Sequence, residues 1–301
     1  MKQLLAIVAA TVLAVITPLT STVSAAGNSA PILWVHGSQA SSTCPIVDSK
    51  KQSTPFKNVL TKRAYTGPLV PIDYYCGDKT GVSIRGSGGP STEQYPQNGY
   101  TQETPIERLG LDLAWFIYNT YTINGQSVNI ASASMGGLIT MYAVTHTGTD
   151  VFPPYLLVDN VLTFSTPFGG VDKPTVGTEA QYVKMICGVK TQCNQMISGS
   201  AFLQELTSQP IPAEIDVTTI GGGQRDILSF TSSSAISADH KVNFYNIYPI
   251  AYDHAGYLND QNLTYNMSAE ITEGQGTPVR YTNGKPHSLE WAYRAMTSTT
   301  W

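Results

Sequence analysis

Apolar and polar positions alternate between two kinds of pattern along this chain. Ile32-Leu33-Trp34-Val35 is an unbroken apolar run leading straight into His36-Gly37-Ser38, as expected of a buried strand that delivers a loop to the edge of a sheet. Pro68 to Ile72 is a weaker strand candidate. Thr104-Pro105-Ile106-Glu107 then has the form of a helix start, with Thr104 as N-cap, Pro105 in the first helical position and Glu107 in the capping-box position. Ile106, Leu109, Leu113, Phe116 and Ile117 fall on one face of that helix. Ser127 to Ala131 predicts a strand, Ser132 to Gly137 a turn, and Leu138 to His146 a second helix. Later strands are expected at Val161 to Phe164, Asp216 to Ile220 and Val242 to Tyr248. A C-terminal helix follows His287, with Leu289, Ala292, Tyr293 and Met296 on one face.

Strands alternating with helices imply an α/β fold, with helices layered on a largely parallel sheet. Two intervals depart from the pattern. Gly81 to Tyr100, rich in Gly, Ser and Pro, reads as a long surface loop. Between Gly169 and Pro212 there is no clear strand, so residues 169–212 are a candidate lid or cap insertion, with ordinary packing helices as the alternative.

The N-terminus adds a compartment to this picture. Lys2, an apolar stretch from Leu4 to Leu19, and the small residues of Val23-Ser24-Ala25 have the form of an export signal cut after Ala25 or Ala26. Residues 1–26 are thus the expected signal peptide, and residues 27–301 a single catalytic domain, large enough for one core. The four cysteines contain no CxxC spacing, which in an exported chain favours disulfides over a metal site. Three pairings can be drawn; Cys44–Cys76 and Cys187–Cys193 each stay within one loop-rich region. Asn262 and Asn266 begin two glycosylation sequons.

Charge is sparse. Charged residues make up 13% of the chain and the formal net charge is -4, with no run of like charges, which argues against a nucleic-acid partner or a disordered tail.

The chemistry concentrates in Val128 to Gly137, where a strand, a tight turn and a helix start surround Ser132-Ala133-Ser134-Met135-Gly136. A serine on such a turn needs small residues two before and two after it, and Ser132 and Gly136 meet that need. The helix start places the Met135 N–H where an oxyanion would develop. A phosphate-binding loop would need GxGxxG or GK[ST], and neither is present.

Together with His36-Gly37, Ser165-Thr166-Pro167-Phe168-Gly169-Gly170 and a late strand leading to an Asp and a His, this segment resembles the α/β-hydrolase superfamily, and within it the secreted bacterial lipases and esterases. The resemblance spans most of residues 30 to 260. It departs from the usual lipase pattern at Ala133, where His is customary, and at Ser132, where Gly or Ala is.

The resemblance implies an oxyanion hole from the N–H groups of Met135 and Ser38, with His36 shaping the loop. Of five histidines, His254 follows a strand on the carboxyl side, where parallel sheets place active residues, whereas His240 precedes its strand. Asp226, after the Gly221-Gly222-Gly223 run, is the expected acid, which gives the chain order Ser134, Asp226, His254. Asp253 is its nearest rival; Asp159 and Asp239 lie at the wrong ends of their strands.

The resulting expectation is a secreted serine hydrolase of carboxylic esters, foremost a lipase, needing no metal or organic cofactor. Its partner would be an ester or lipid substrate, with contact at a lipid interface transient and no obligate protein partner. A short-chain esterase, a polyesterase, an acyltransferase and a non-catalytic binding module are the alternatives.

Overall fold

A computed structural model describes residues 29–39, 44–88, 100–149, 151–173, 177–188, 190–245, 253–259, 267–285 and 287–297. The export signal and both sequon asparagines lie outside these residues. Among the described residues, no helix is long and apolar enough to cross a membrane.

The first half of the chain runs β1 (Ile32–Val35), α1 (Ser49–Lys62), β2 (Leu69–Asp73), β3 (Val82–Ser83), α2 (Ile106–Thr120), β4 (Val128–Ala133), α3 (Met135–Thr145) and β5 (Val158–Phe164). Helices α4 (Glu179–Cys187), α5 (Thr191–Gln195) and α6 (Ala201–Ser208) follow, then β6 (Asp216–Gly221), α7 (Phe230–Ser233), β7 (His240–Phe244), α8 (Gly256–Asn259), β8 (Met267–Glu273), β9 (Val279–Lys285) and α9 (Ser288–Thr297).

Among the described residues, nine strands form one sheet in the order β3-β2-β1-β4-β5-β6-β7-β8-β9. It is parallel from β3 to β7, and β8 and β9 add antiparallel to its edge. The strand order reverses between β1 and β4, the switch point where loops at the carboxyl ends part and leave a crevice.

Successive side chains on a strand face opposite sides, so the sheet divides two cores. Leu33, Val35, Ile130, Val161 and Val217 pack with α2, α3 and α6. Ile32, Trp34, Ala131, Leu162, Phe164 and Val242 pack with α1, α8 and α9. Helix α3 is buried on nearly every side, as its almost wholly apolar sequence requires.

Several boundaries differ from the sequence reading. Helix α2 begins at Ile106, with Pro105 as N-cap and no side-chain cap. Thr104 instead accepts from the Thr101 N–H at 3.1 Å, while Gln195 of α5 accepts from the Ile106 N–H at 3.0 Å and donates to the Glu107 carboxylate. A neighbouring helix thus supplies the partner that the local capping box was expected to provide. The last parallel strand starts at His240, and residues 246–248 of its predicted span lie outside the described ones. The expected loop from Gly81 contains the short strand β3, while residues 89–99 are outside the described set.

In the 169–212 interval, Met196, Phe202, Leu203 and Leu206 belong to the main core. Val171, Tyr182, Val183 and Cys193 form a smaller cluster with Leu228. Cys44 and Cys76 form a disulfide. Cys193 is disulfide-bonded too, and the side chain of Cys187 is outside the described residues.

Candidate active site

Ser134 occupies the turn between β4 and α3 with φ 52° and ψ −128°. A non-glycine residue pays a conformational cost there, tolerated only where the surrounding structure over-determines it. The constraint is visible in Gly136 and Gly37. A Cβ on Gly136 would lie 2.3 Å from the Val35 carbonyl oxygen, and one on Gly37 would lie 2.9 Å from the Ser134 Cβ. The β1 loop, the Ser134 turn and the start of α3 therefore meet at backbone contact distance.

His254 Nε2 is 2.8 Å from Ser134 Oγ, and its Nδ1 is 2.9 Å from Asp226 Oδ1. The three residues come from segments far apart in sequence. A parallel backbone bridge between Arg225 and Asp253 sets the last two side by side. The Gly run before Asp226 is pinned by Tyr257, whose hydroxyl accepts from the Gly223 N–H. The Asp226 side chain is fully buried and His254 is partly open to solvent. Asp253, the rival acid, accepts from the Ala255 N–H at 3.1 Å and so shapes the loop.

Ser165 carries no motif of its own within the Ser165 to Gly170 segment. It proves to be a fourth member of this cluster. It is buried, has φ 42°, donates its hydroxyl proton to Asp226 Oδ2, and its Oγ lies 3.1 Å from His254 Nδ1. No short pattern marks such a role. The left-handed backbone after β5 is the local sign, and only coordinates reveal it.

The β1 loop is held from below. His36 is fully buried; its Nδ1 faces the Gly37 carbonyl at 2.8 Å and its Nε2 faces Asp78 at 3.0 Å. Asp78 also accepts from the N–H groups of Val47 at 2.7 Å and Tyr75 at 2.8 Å. Burial by itself would raise the Asp78 carboxyl, but the hydrogen bond and charge of His36 with these N–H groups outweigh it and hold the group below its ordinary value. The Tyr74 hydroxyl donates to the His36 and Gly37 carbonyls, at 2.8 and 2.9 Å. Ser38 is thus presented by a braced backbone. Met135 is the first residue of α3, and an N–H there has no acceptor within its own helix.

Ser38, Ser134 and His254 line one cavity of about 280 Å³, whose remaining wall includes Pro167, Val171, Met196, Ile227 and Leu228. The other histidines are elsewhere. His146 ends α3 and pairs with Glu205 at 2.8 Å, and His240 contacts Asp216 and Glu273 at the amino end of β7. His287 stands before α9. Asp159 accepts from Ser127 at 2.6 Å, and Asp239 accepts from the Val217 N–H at 2.9 Å, both away from Ser134. No group of three metal-ligating side chains occurs among the described residues.

No family model and no curated protein matches the chain. Solved structures that it resembles include Bacillus licheniformis lipase BlEst2 in its propeptide form, at 16% identity and TM-score 0.46 over 79% of this chain and 48% of that one. Aspergillus fumigatus lipase B matches at 16% identity and TM-score 0.42 over 73% of this chain and 43% of that one. Legionella pneumophila phospholipase PlaB matches at 11% identity and TM-score 0.47 over 90% of this chain and 61% of that one. The chain spans about half the length of the first two. A mostly parallel sheet, a strained strand-to-helix turn carrying Ser134, and a buried acid and a histidine following in that order give this chain the α/β-hydrolase fold.

Proposed function

We propose that the chain is a secreted serine hydrolase of carboxylic esters. The carrying observation is the run of contacts from Ser134 Oγ through His254 to Asp226, beginning at a serine held in a strained turn. In this reading Ser134 Oγ attacks the ester carbonyl while His254 Nε2 takes its proton. The tetrahedral oxyanion is received by the Met135 and Ser38 N–H groups. His254 then returns the proton to the alkoxy oxygen as the carbon–oxygen bond breaks, leaving an acyl group on Ser134. Water, deprotonated by His254, cleaves that acyl group and restores the serine. Asp226 orients the imidazole and stabilises its protonated form. Ser165 is a positioning residue, because its hydroxyl holds Asp226 Oδ2 while the other oxygen faces His254.

The acyl side is read from the cavity. A cavity of about 280 Å³ walled by Val171, Met196, Ile227 and Leu228 favours short to medium acyl groups. The second reading, a long-chain lipase, needs the acyl chain to run out of this cavity. The Cys44–Cys76 disulfide suits an oxidising compartment and so supports export.

Rates on p-nitrophenyl esters from C2 to C16 test both readings. Activity should be higher on the short and medium esters than on C16, as expected where a long chain outgrows the cavity. A maximum at C16 selects the long-chain reading. Ser134→Ala should lose about 10⁵-fold in kcat and all labelling by a fluorophosphonate, and retained activity in that variant sinks the mechanism.

A further inference from the structure

The cavity at Ser134 has a neighbour. Gln52, Ala255 and Leu258 line it and also line an adjoining open cleft of about 510 Å³, nearly twice its volume. Neither Ser134 nor His254 lines this second space, whose other walls include Gln39, Ile46, Val47, Lys51, Thr54 and Pro55.

The two spaces differ in chemistry. The first is walled by aliphatic side chains on the side of Val171 and Leu228. The second combines apolar patches, among them Ile46 at 68% exposure, with hydrogen-bond donors. Gln52 Oε1 already accepts from the Trp34 indole N–H at 3.2 Å, so its amide has NH₂ protons left to offer. Lys51 brings an exposed ammonium. Asp48, the acid lining the cleft, spends one carboxylate oxygen on the Lys51 backbone N–H at 2.8 Å, and Thr54 spends its proton on the Lys50 carbonyl at 2.8 Å.

Direction follows from the proton. In the proposed reaction, His254 hands a proton to the departing alkoxy oxygen, so the alcohol arm of the ester must leave the carbonyl on the His254 side. Ala255 and Leu258, which follow His254 in the chain, form the threshold between the two spaces. We infer that the open cleft is the alcohol-side binding site, and that it takes a bulky alcohol moiety rich in acceptor oxygens, larger than the acyl group opposite. The remainder of a glyceride and the next ester units of a linear polyester share that chemistry. The inference rests on Ser134 being the nucleophile.

The test holds the acyl group at butyryl and varies the alcohol. Butyrate release is measured from methyl butyrate, tributyrin and the butyryl ester of methyl 3-hydroxybutyrate, all below their solubility limits. At least one of the larger alcohols should exceed methyl butyrate in kcat/KM by about tenfold or more. The better of the two names the source, glyceride or linear hydroxyester. Thr54→Trp, at an exposed position of α1, places an indole in the cleft and should bring that ratio down by about tenfold. Lys51→Ala provides a second reading should the bulky variant not fold, with an expected fall in the ratio of roughly three- to tenfold. A wild-type ratio near one overturns the inference, as does a ratio that neither substitution moves. Fluorophosphonate labelling of Ser134 in the same samples separates the two failures: an unlabelled protein removes the proposed function, while a labelled one with no alcohol preference removes only the cleft.

Discussion

At the scale of single residues, the hydroxyl of Ser165 has the clearest physical consequence. It draws charge from one oxygen of Asp226 while the other faces His254 Nδ1. Ser165→Ala should therefore lower kcat by about 10- to 100-fold, the worth of a hydrogen bond to a buried charge, with little change in KM. Ser165→Gly removes the same hydroxyl but relaxes the backbone at φ 42°. It should show the same kinetic defect with a higher Tm than the alanine variant. An unchanged kcat in both variants, or a loss that appears only in KM, would reduce Ser165 to a packing residue. The small-residue turn around Ser134, the glycine run before Asp226 and the strand-end rule for His254 make these three the candidates in the sequence. Such signals could not bring forward Ser165, whose partners lie 61 and 89 positions away, or Asp78, which reaches across 42 positions to brace His36.

Elements are positioned by close backbone approach. Strand β1 and helix α3 meet at Gly136, where an added Cβ would sit 2.3 Å from a carbonyl oxygen. Gly136→Ala should destabilise the fold by about 1–3 kcal/mol in chemical denaturation, the usual cost of overpacking. It should also lower kcat, because the same displacement shifts Ser134 against the Ser38 loop. A variant with wild-type stability and kcat would mean that the two elements separate freely. Helices with strong apolar periodicity, such as α2, were evident in sequence. Helix α1 was not: it carries Lys50, Lys51, Lys57 and Lys62, has Pro55 within it, and buries only a narrow stripe around Phe56, Val59 and Leu60. Tertiary packing, with a cap from Asp48, makes it a helix. The antiparallel pair β8 and β9 leaves little trace in sequence for a related reason, since the described positions of β9, Val279 to Thr282, are mostly exposed and show no clean alternation.

For the molecule as a whole, sparse charge leaves few electrostatic ties among the described residues, and some of them join distant parts. His240, at the start of β7, contacts Asp216 on β6 and Glu273 on β8, linking the parallel sheet to its antiparallel edge. Burial opposes its protonation, but the two carboxylates prevail and raise its pKa. A raised folded pKa means that the contribution to stability is complete below the unfolded value of about 6.5 and disappears as pH rises through the folded value. Denaturation of the wild type and His240→Asn between pH 5 and 9 should show a gap that is widest at the acid end and closes toward the alkaline end. A gap that widens with pH would contradict this linkage.

The sequence by itself determined the layered α/β class, the strained Ser134 turn, and the order of the serine, acid and histidine, because each depends on local pattern or on chain order. Tertiary structure alone decided which atoms meet. The Arg225–Asp253 bridge set Asp226 beside His254, Gln195 took over the start of α2, and the convergence of α1, α8 and the β1 loop placed an open cleft beside the Ser134 cavity. Contacts across dozens of residues leave no periodic trace in a sequence, since the fold that creates them is set by the sum of many weak preferences.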